Sequence, residues 1–306
     1  MRPEYNGFLL GEVVQVPEIL YKYTTSSTAQ IVLETGRLRW QSPCQFNDVA
    51  ELQRMPTLSP DFDEARPIYI ERLLEIGYSV LITDHSFYSK WTQFILSLIH
   101  RLKVQGVPSA DVRQMLNSVV PNSTVTLESQ FRRSTELNND GSLRIFCLTE
   151  NVLNELMWAH YADSNKGCML GFRHIDEYST PFAAAEKVRY TDEAPVIGSA
   201  VDFYLFGPSA AQNKETRLAI YHTKKSAWTY ENEWRVIHKP NTPNGKLYSD
   251  FKFYPEELES VTFGLKITPE DKAKIIDLVE HGYPQCKLYE IVMIDGELSR
   301  QQCTVG

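Results

Sequence analysis

Ile19-Leu20-Tyr21-Lys22-Tyr23, then Thr24-Thr25-Ser26-Ser27-Thr28, an apolar stretch ending at Leu33, Gly36, and Arg37-Leu38-Arg39-Trp40 form the part of the chain whose reading decides the fold. The first five residues are β-formers and predict a strand. The hydroxyl-rich run supplies caps for the orphan N–H groups of a helix start, and the apolar positions after it carry helical spacing. Gly36 fits the helix end, because a residue without Cβ accepts the left-handed conformation there. Arg37 to Trp40 alternates as a second strand and leads into the turn-rich Ser42-Pro43-Cys44-Gln45-Phe46-Asn47-Asp48.

Downstream of this opening, helical spacing is expected over 69–76, 87–104, 111–119 and 127–137, with little strand character. From Leu143 onward strands (143–148, 167–172, 187–190, 233–238, 249–253, 261–265, 287–293) alternate with helices (151–162, 213–225, 268–281). The expected organisation is an α+β core built from residues 1–58 and 138–306, interrupted by a helical insertion over 59–137. No internal repeat or low-complexity tract appears.

The length of 306 residues allows one large domain or two ordinary ones. Lys and Arg number 31 against 39 Asp and Glu, a net charge of −8. Extended nucleic-acid binding is disfavoured by that balance, since phosphate neutralisation needs clustered cations. Met1-Arg2-Pro3-Glu4-Tyr5-Asn6 is not the basic start of a signal peptide. No apolar run approaches the roughly 18 residues of a membrane helix. Five scattered cysteines, without a Cys-x-x-Cys pair, read as reduced thiols. The expectation is a cytoplasmic protein that does not enter the membrane.

Three constellations could carry chemistry. On the helix over 151–162, Leu153, Met157, His160 and Tyr161 fall at spacings of three and four and share a face. His160 there is either a satisfied core histidine or a cleft residue that binds or protonates a ligand. Lys166, in the following turn, is either solvated or holds an anionic group. In Lys224-Lys225-Ser226-Ala227-Trp228-Thr229-Tyr230-Glu231-Asn232-Glu233-Trp234-Arg235, an extended backbone from Tyr230 onward puts Glu231, Glu233 and Arg235 on one face and Trp234 and Val236 on the other. That face is either an ion-pair ladder or a site where a glutamate binds a sugar hydroxyl or stabilises a cationic transition state. Asn47 and Asp48 serve as turn and cap residues or fix a ribose or amide. Walker, dinucleotide-binding, His-Glu-x-x-His and Gly-x-Ser-x-Gly motifs are missing, and no spacing argues for a metal.

Leu20 to Tyr23, Phe46-Asn47-Asp48, the run from Phe146-Cys147-Leu148-Thr149-Glu150 through Met157-Trp158-Ala159-His160-Tyr161 to Lys166 and Phe172, and Lys225 to Arg235 together resemble the bacterial family called domain of unknown function 2971. Val49 stands where that family usually has proline. More distantly, the chain resembles the ADP-ribosyltransferase superfamily. The matching elements are Lys22 between Tyr21 and Tyr23, Tyr161 with the 167–172 strand, and Glu231-Asn232-Glu233. Lys22 stands where that superfamily has Arg or His, and no Ser-Thr-Ser triplet occupies the middle strand.

This second resemblance implies a split, mostly antiparallel sheet core and NAD as substrate. The enzyme would be an ADP-ribosyltransferase or NAD glycohydrolase, acting as a toxin or defence effector in bacteria. Glu233 is the expected carboxylate that stabilises the ribose cation, and Glu231 the residue that orients the acceptor. Tyr23 or Tyr161 would stack on nicotinamide, and Lys22 would meet the pyrophosphate or a ribose hydroxyl. His160 is a further catalytic candidate, and Tyr21, Asn47, Asp48, Lys166, Trp228 and Arg235 are expected around the nucleotide. No metal is expected, the acceptor is left open, and the insertion is a candidate surface for a protein partner or a second copy. Two other classes stay open: a metal-dependent hydrolase or nuclease using Asp48, His160, Asp163 and Glu233, and a non-catalytic sensor or scaffold.

Overall fold

The computed structural model describes residues 15–303 apart from 49, 51, 53–54, 80–83, 122–128, 130–132, 134–142, 179 and 241–244. The expectations for the N-terminal start and Val49 lie outside the described residues, as does nearly all of the helix expected over 127–137.

In chain order the elements begin with β1 (Ile19–Thr24), α1 (Ser26–Thr35), β2 (Arg37–Gln41), α2 (Phe62–Tyr78), α3 (Lys90–Val104), α4 (Ser109–Val119), β3 (Arg144–Thr149), α5 (Glu155–Tyr161) and β4 (Cys168–Arg173). They continue with β5 (Glu186–Lys187), β6 (Arg189–Tyr190), α6 (Ala200–Phe206), α7 (Ala210–Tyr221), β7 (Thr223–Lys224) and β8 (Glu233–His238). The chain then runs through β9 (Tyr248–Lys252), β10 (Leu258–Phe263), α8 (Pro269–Gly282), β11 (Lys287–Ile294) and β12 (Glu297–Gln302).

The chain folds as two compact units. One comprises Met1–Asn47, Asn139–Tyr190 and Lys224–Gly306, the other Asp48–Asn138 and Thr191–Thr223. The helical unit therefore takes in 191–223 as well as the expected insertion. Its apolar core explains why: Tyr204 and Leu205 of α6 and Ala219 of α7 pack with Phe62, Tyr69, Ile95 and Leu116. α6 escaped the sequence reading because it spans only seven residues.

The sheet unit opens as expected. Thr25 caps α1 by accepting the Thr28 N–H, and Gly36 ends it at φ 59°. A ten-stranded, mostly antiparallel sheet follows the order β12-β11-β10-β4-β1-β3-β2-β9, with β8 and β5 branching from β3. Among the described strands of this sheet, only the β10–β11 pairing is parallel. Along one edge, β3 pairs with β8 over its whole length, from Arg144↔His238 to Thr149↔Glu233. Its other edge divides, Thr149 pairing with Tyr21 of β1 and Ile145 with Gln41 of β2. Between those contacts the Cys147 carbonyl accepts a hydrogen bond from Lys22 Nζ at 2.9 Å. The sheet thus splits at Cys147, and the split is where the cleft forms.

Trp234 and Val236 of β8 enter the main core with Leu20, Phe146, Phe172, Val261 and Phe263, leaving Glu233 and Arg235 on the opposite face by the two-residue period. Tyr21 and Tyr23 join a smaller core with Met157, Trp158 and Met169. Gly167 sits at a close approach before β4: a Cβ there would lie 2.1 Å from the Thr24 carbonyl oxygen.

Candidate functional site

Two glutamates reach the cleft by different local routes. Glu233 opens β8, whereas Glu231 ends a 3₁₀ turn, Ser226–Glu231, closed by Asn232 in the left-handed region at φ 40°. The extended backbone expected from Tyr230 is replaced by this turn, yet it still delivers Glu231 to the side of Glu233. Thr149 secures it, its hydroxyl donating to the Glu231 carbonyl at 2.6 Å and accepting from the Asn151 N–H. Asn154 then caps α5 by accepting the Met157 N–H. The last turn of that helix carries His160 and Tyr161.

Side chains from these elements form one hydrogen-bonded chain. Asn47 Nδ2 donates to the Tyr161 hydroxyl at 3.1 Å, and that hydroxyl donates to Glu231 Oε1 at 2.5 Å. Lys224 Nζ lies 2.6 Å from Glu231 Oε2 and 3.5 Å from Glu233 Oε2. Arg235 grips both oxygens of Glu233, Nε at 2.8 Å and the terminal nitrogen at 2.9 Å. All four charged side chains are buried, Arg235 completely. Two carboxylates are thereby balanced by two cations, as burial of charge requires.

The glutamates differ electrostatically. Burial and the neighbouring Glu233 charge raise the Glu231 carboxyl above its ordinary value, with Lys224 and Tyr161 pulling the other way. Burial alone would also raise Glu233, but the charge and hydrogen bonds of Arg235, with the charge of Lys224, outweigh it and hold the group down at about 2. Desolvation and the bond to Glu231 push the Tyr161 hydroxyl up, so it remains a neutral donor. Burial pushes the Cys147 thiol up, which disfavours its thiolate form.

Both glutamates open onto a cavity of about 400 Å³, a volume suited to a small molecule. Tyr21, Lys22, Tyr23, Asn47, His160 and Tyr161 line it with them, so eight of the expected site residues meet there. His160 contacts the Tyr230 hydroxyl through Nδ1 at 3.1 Å. Tyr23 is committed to the wall: its hydroxyl donates to the Asn151 and Val152 carbonyls and its ring meets Trp158 edge-on.

The remaining expectations fall elsewhere. Arg235 lies behind Glu233, and the Trp228 ring lies 4.5 Å from the Lys224 ammonium. Neither lines the cavity. Lys166 is exposed in the turn after α5. Asp48 belongs to the helical unit, where it accepts the Ala50 N–H as a turn residue. Gln41, Gln45 and Thr149 line the cavity without having been expected there, and Lys224 and Phe46, which open two of the candidate stretches, had been given no role.

Of the residues considered for a metal hydrolase, His160 and Glu233 line the cavity, while Asp163 is exposed. Among the described residues, no group of three or more His, Cys, Asp or Glu is placed to hold a metal ion. Among them too, no helix is long and apolar enough to cross a membrane.

Comparison with curated proteins and with solved structures finds no match. Residues 157–236, the stretch that holds Tyr161, Lys224, Glu231, Glu233 and Arg235, match the family described as "Protein of unknown function (DUF2971)", the family that the sequence resembles.

Proposed function

We propose that the protein consumes NAD by breaking the bond between nicotinamide and ribose, as an NAD glycohydrolase or ADP-ribosyltransferase. The observation that carries this reading is the buried Glu231 carboxylate, set between Tyr161 and Lys224 on a cavity of about 400 Å³. Departure of nicotinamide leaves the ribose oxocarbenium-like at C1′, and a fixed carboxylate in a low-dielectric pocket stabilises that charge.

The roles expected of the glutamates are exchanged in this proposal. Arg235 occupies both oxygens of Glu233, which suits it to anchoring the cluster. Glu231 has one oxygen held by a neutral phenol and faces the cavity, and it serves as the stabilising carboxylate. Nicotinamide leaves with the electron pair of the C1′–N bond, and its ring nitrogen becomes neutral. The acceptor, water in hydrolysis or another nucleophile in transfer, forms the new bond at C1′ and gives up its proton to Glu231. The raised affinity of Glu231 for a proton favours that last step. Lys22, a residue of the cavity wall whose ammonium donates to the Cys147 carbonyl, pairs with the pyrophosphate. In a bacterial cell such turnover would make the protein a toxin or defence effector.

The test is calorimetric titration of the full chain with NAD. Binding that Lys22→Glu weakens about tenfold or more supports the reading, the charge reversal opposing an anion at close range. A folded protein that takes up no NAD overturns it.

A further inference from the structure

Lys224 is the cation that the proposed chemistry has not yet used. Its side chain is only 6 % exposed, and the ammonium lies between the two glutamates, 2.6 Å from Glu231 and 3.5 Å from Glu233. The Trp228 ring lies 4.5 Å from the same ammonium. Arg235 already compensates Glu233 through two bonds, whereas the short contact of Lys224 is to Glu231. Two buried carboxylates this close repel, and without a cation one of them takes up a proton.

We propose that Lys224 is a positioning residue, whose ammonium holds the Glu231 carboxylate ionised and oriented toward the cavity. The proposal rests on the NAD-cleavage reading but concerns a physical state of Glu231 that can be measured without substrate. Groups from every neighbouring element face this carboxyl: Tyr161 from α5, Tyr190 from β6, Lys224 from β7, Glu233 from β8, and Tyr230 from its own turn. Arg235 acts on Glu233 beside it. Lys224 brings a positive charge into hydrogen-bond contact with Glu231. Its loss leaves Glu231 facing burial and the Glu233 charge without that cation, the Tyr161 hydroxyl still donating to it.

The experiment compares wild type, Lys224→Met, Lys224→Gln and Lys224→Arg by two readouts. The first is the pH profile of nicotinamide release from NAD. The second is the titration of the Glu231 carboxyl by carbon-13 NMR on glutamate-labelled full-length protein, assigned with Glu231→Gln. In Lys224→Met both the acid limb and the carboxyl titration are expected to move up by about one pH unit or more, the ordinary effect of removing an adjacent opposite charge. Lys224→Arg is expected to return both toward wild type. Should Lys224→Met not fold, Lys224→Gln, which keeps a donor but no charge, gives the same comparison.

An unmoved Glu231 titration in a folded neutral variant overturns the proposal, whatever happens to activity. A shifted titration in a protein whose wild type releases no nicotinamide upholds the role of Lys224 and removes the NAD reading instead.

Discussion

The Tyr161 hydroxyl donates to Glu231 Oε1 at 2.5 Å and joins the last turn of α5 to the turn before β8. Through it, the orientation of a helix decides the direction of a carboxylate that comes 70 residues later in the chain. Removing the hydroxyl by Tyr161→Phe takes one stabilising bond from an ionised group. A charge-assisted bond contributes about 1.5–3 kcal/mol, so a ten- to hundredfold fall in nicotinamide release is expected. Asn47→Ala, one bond further away, should cost less. Steady-state kinetics of the two variants check the order.

In the proposed arrangement Glu233 anchors the cluster through Arg235. Arg235→Met leaves its carboxylate buried without its bidentate partner, a change that typically costs about 3–5 kcal/mol. Denaturant unfolding of the variant is expected to show a loss of that size. A loss below about 1 kcal/mol would place this pair with ordinary surface salt bridges.

The same pair sets an acid response. Glu233 ionises at about 2 in the folded protein against an ordinary value of 4.5. Its contribution to stability is complete above the ordinary value and disappears as the pH falls through the folded one. Equilibrium unfolding between about pH 5 and 2 should show stability falling along a slope that Glu233→Gln lacks.

Gly167 fixes where α5 ends relative to the sheet. With the Thr24 carbonyl oxygen 2.1 Å from any Cβ at this position, Gly167→Ala forces backbone to move. A destabilisation of about 1–3 kcal/mol is expected from overpacking of this kind. Because Tyr161 ends the same helix, activity should fall further than stability accounts for. Thermal unfolding alongside nicotinamide release separates the two effects.

The sheet's opening was readable because its cues are local: Thr25 and Gly36 cap α1 as their chemistry suggests, and Trp234 and Val236 reach the core by simple alternation. The gathering of Lys22, Tyr161, Glu231 and Glu233 in one cavity was also anticipated. The exchange of roles proposed for the glutamates departs from the expectation because it rests on which cation reaches which carboxylate, and residue order is silent on that. Strand periodicity even pointed to an extended Glu231, whereas Asn232 at positive φ turns the chain there. Asp48 is seen in its expected turn role, accepting the Ala50 N–H. The helical unit was underestimated because α6 is too short to display a period.

Nicotinamide release from NAD by the purified full chain, compared with Glu231→Gln of equal thermal stability, tests the central claim most directly. Release by the wild type that falls about 100-fold or more in the variant is the predicted result, the size expected when the main electrostatic stabiliser of a transition state is removed. Equal release by both proteins, or none by a folded wild type, would contradict the account.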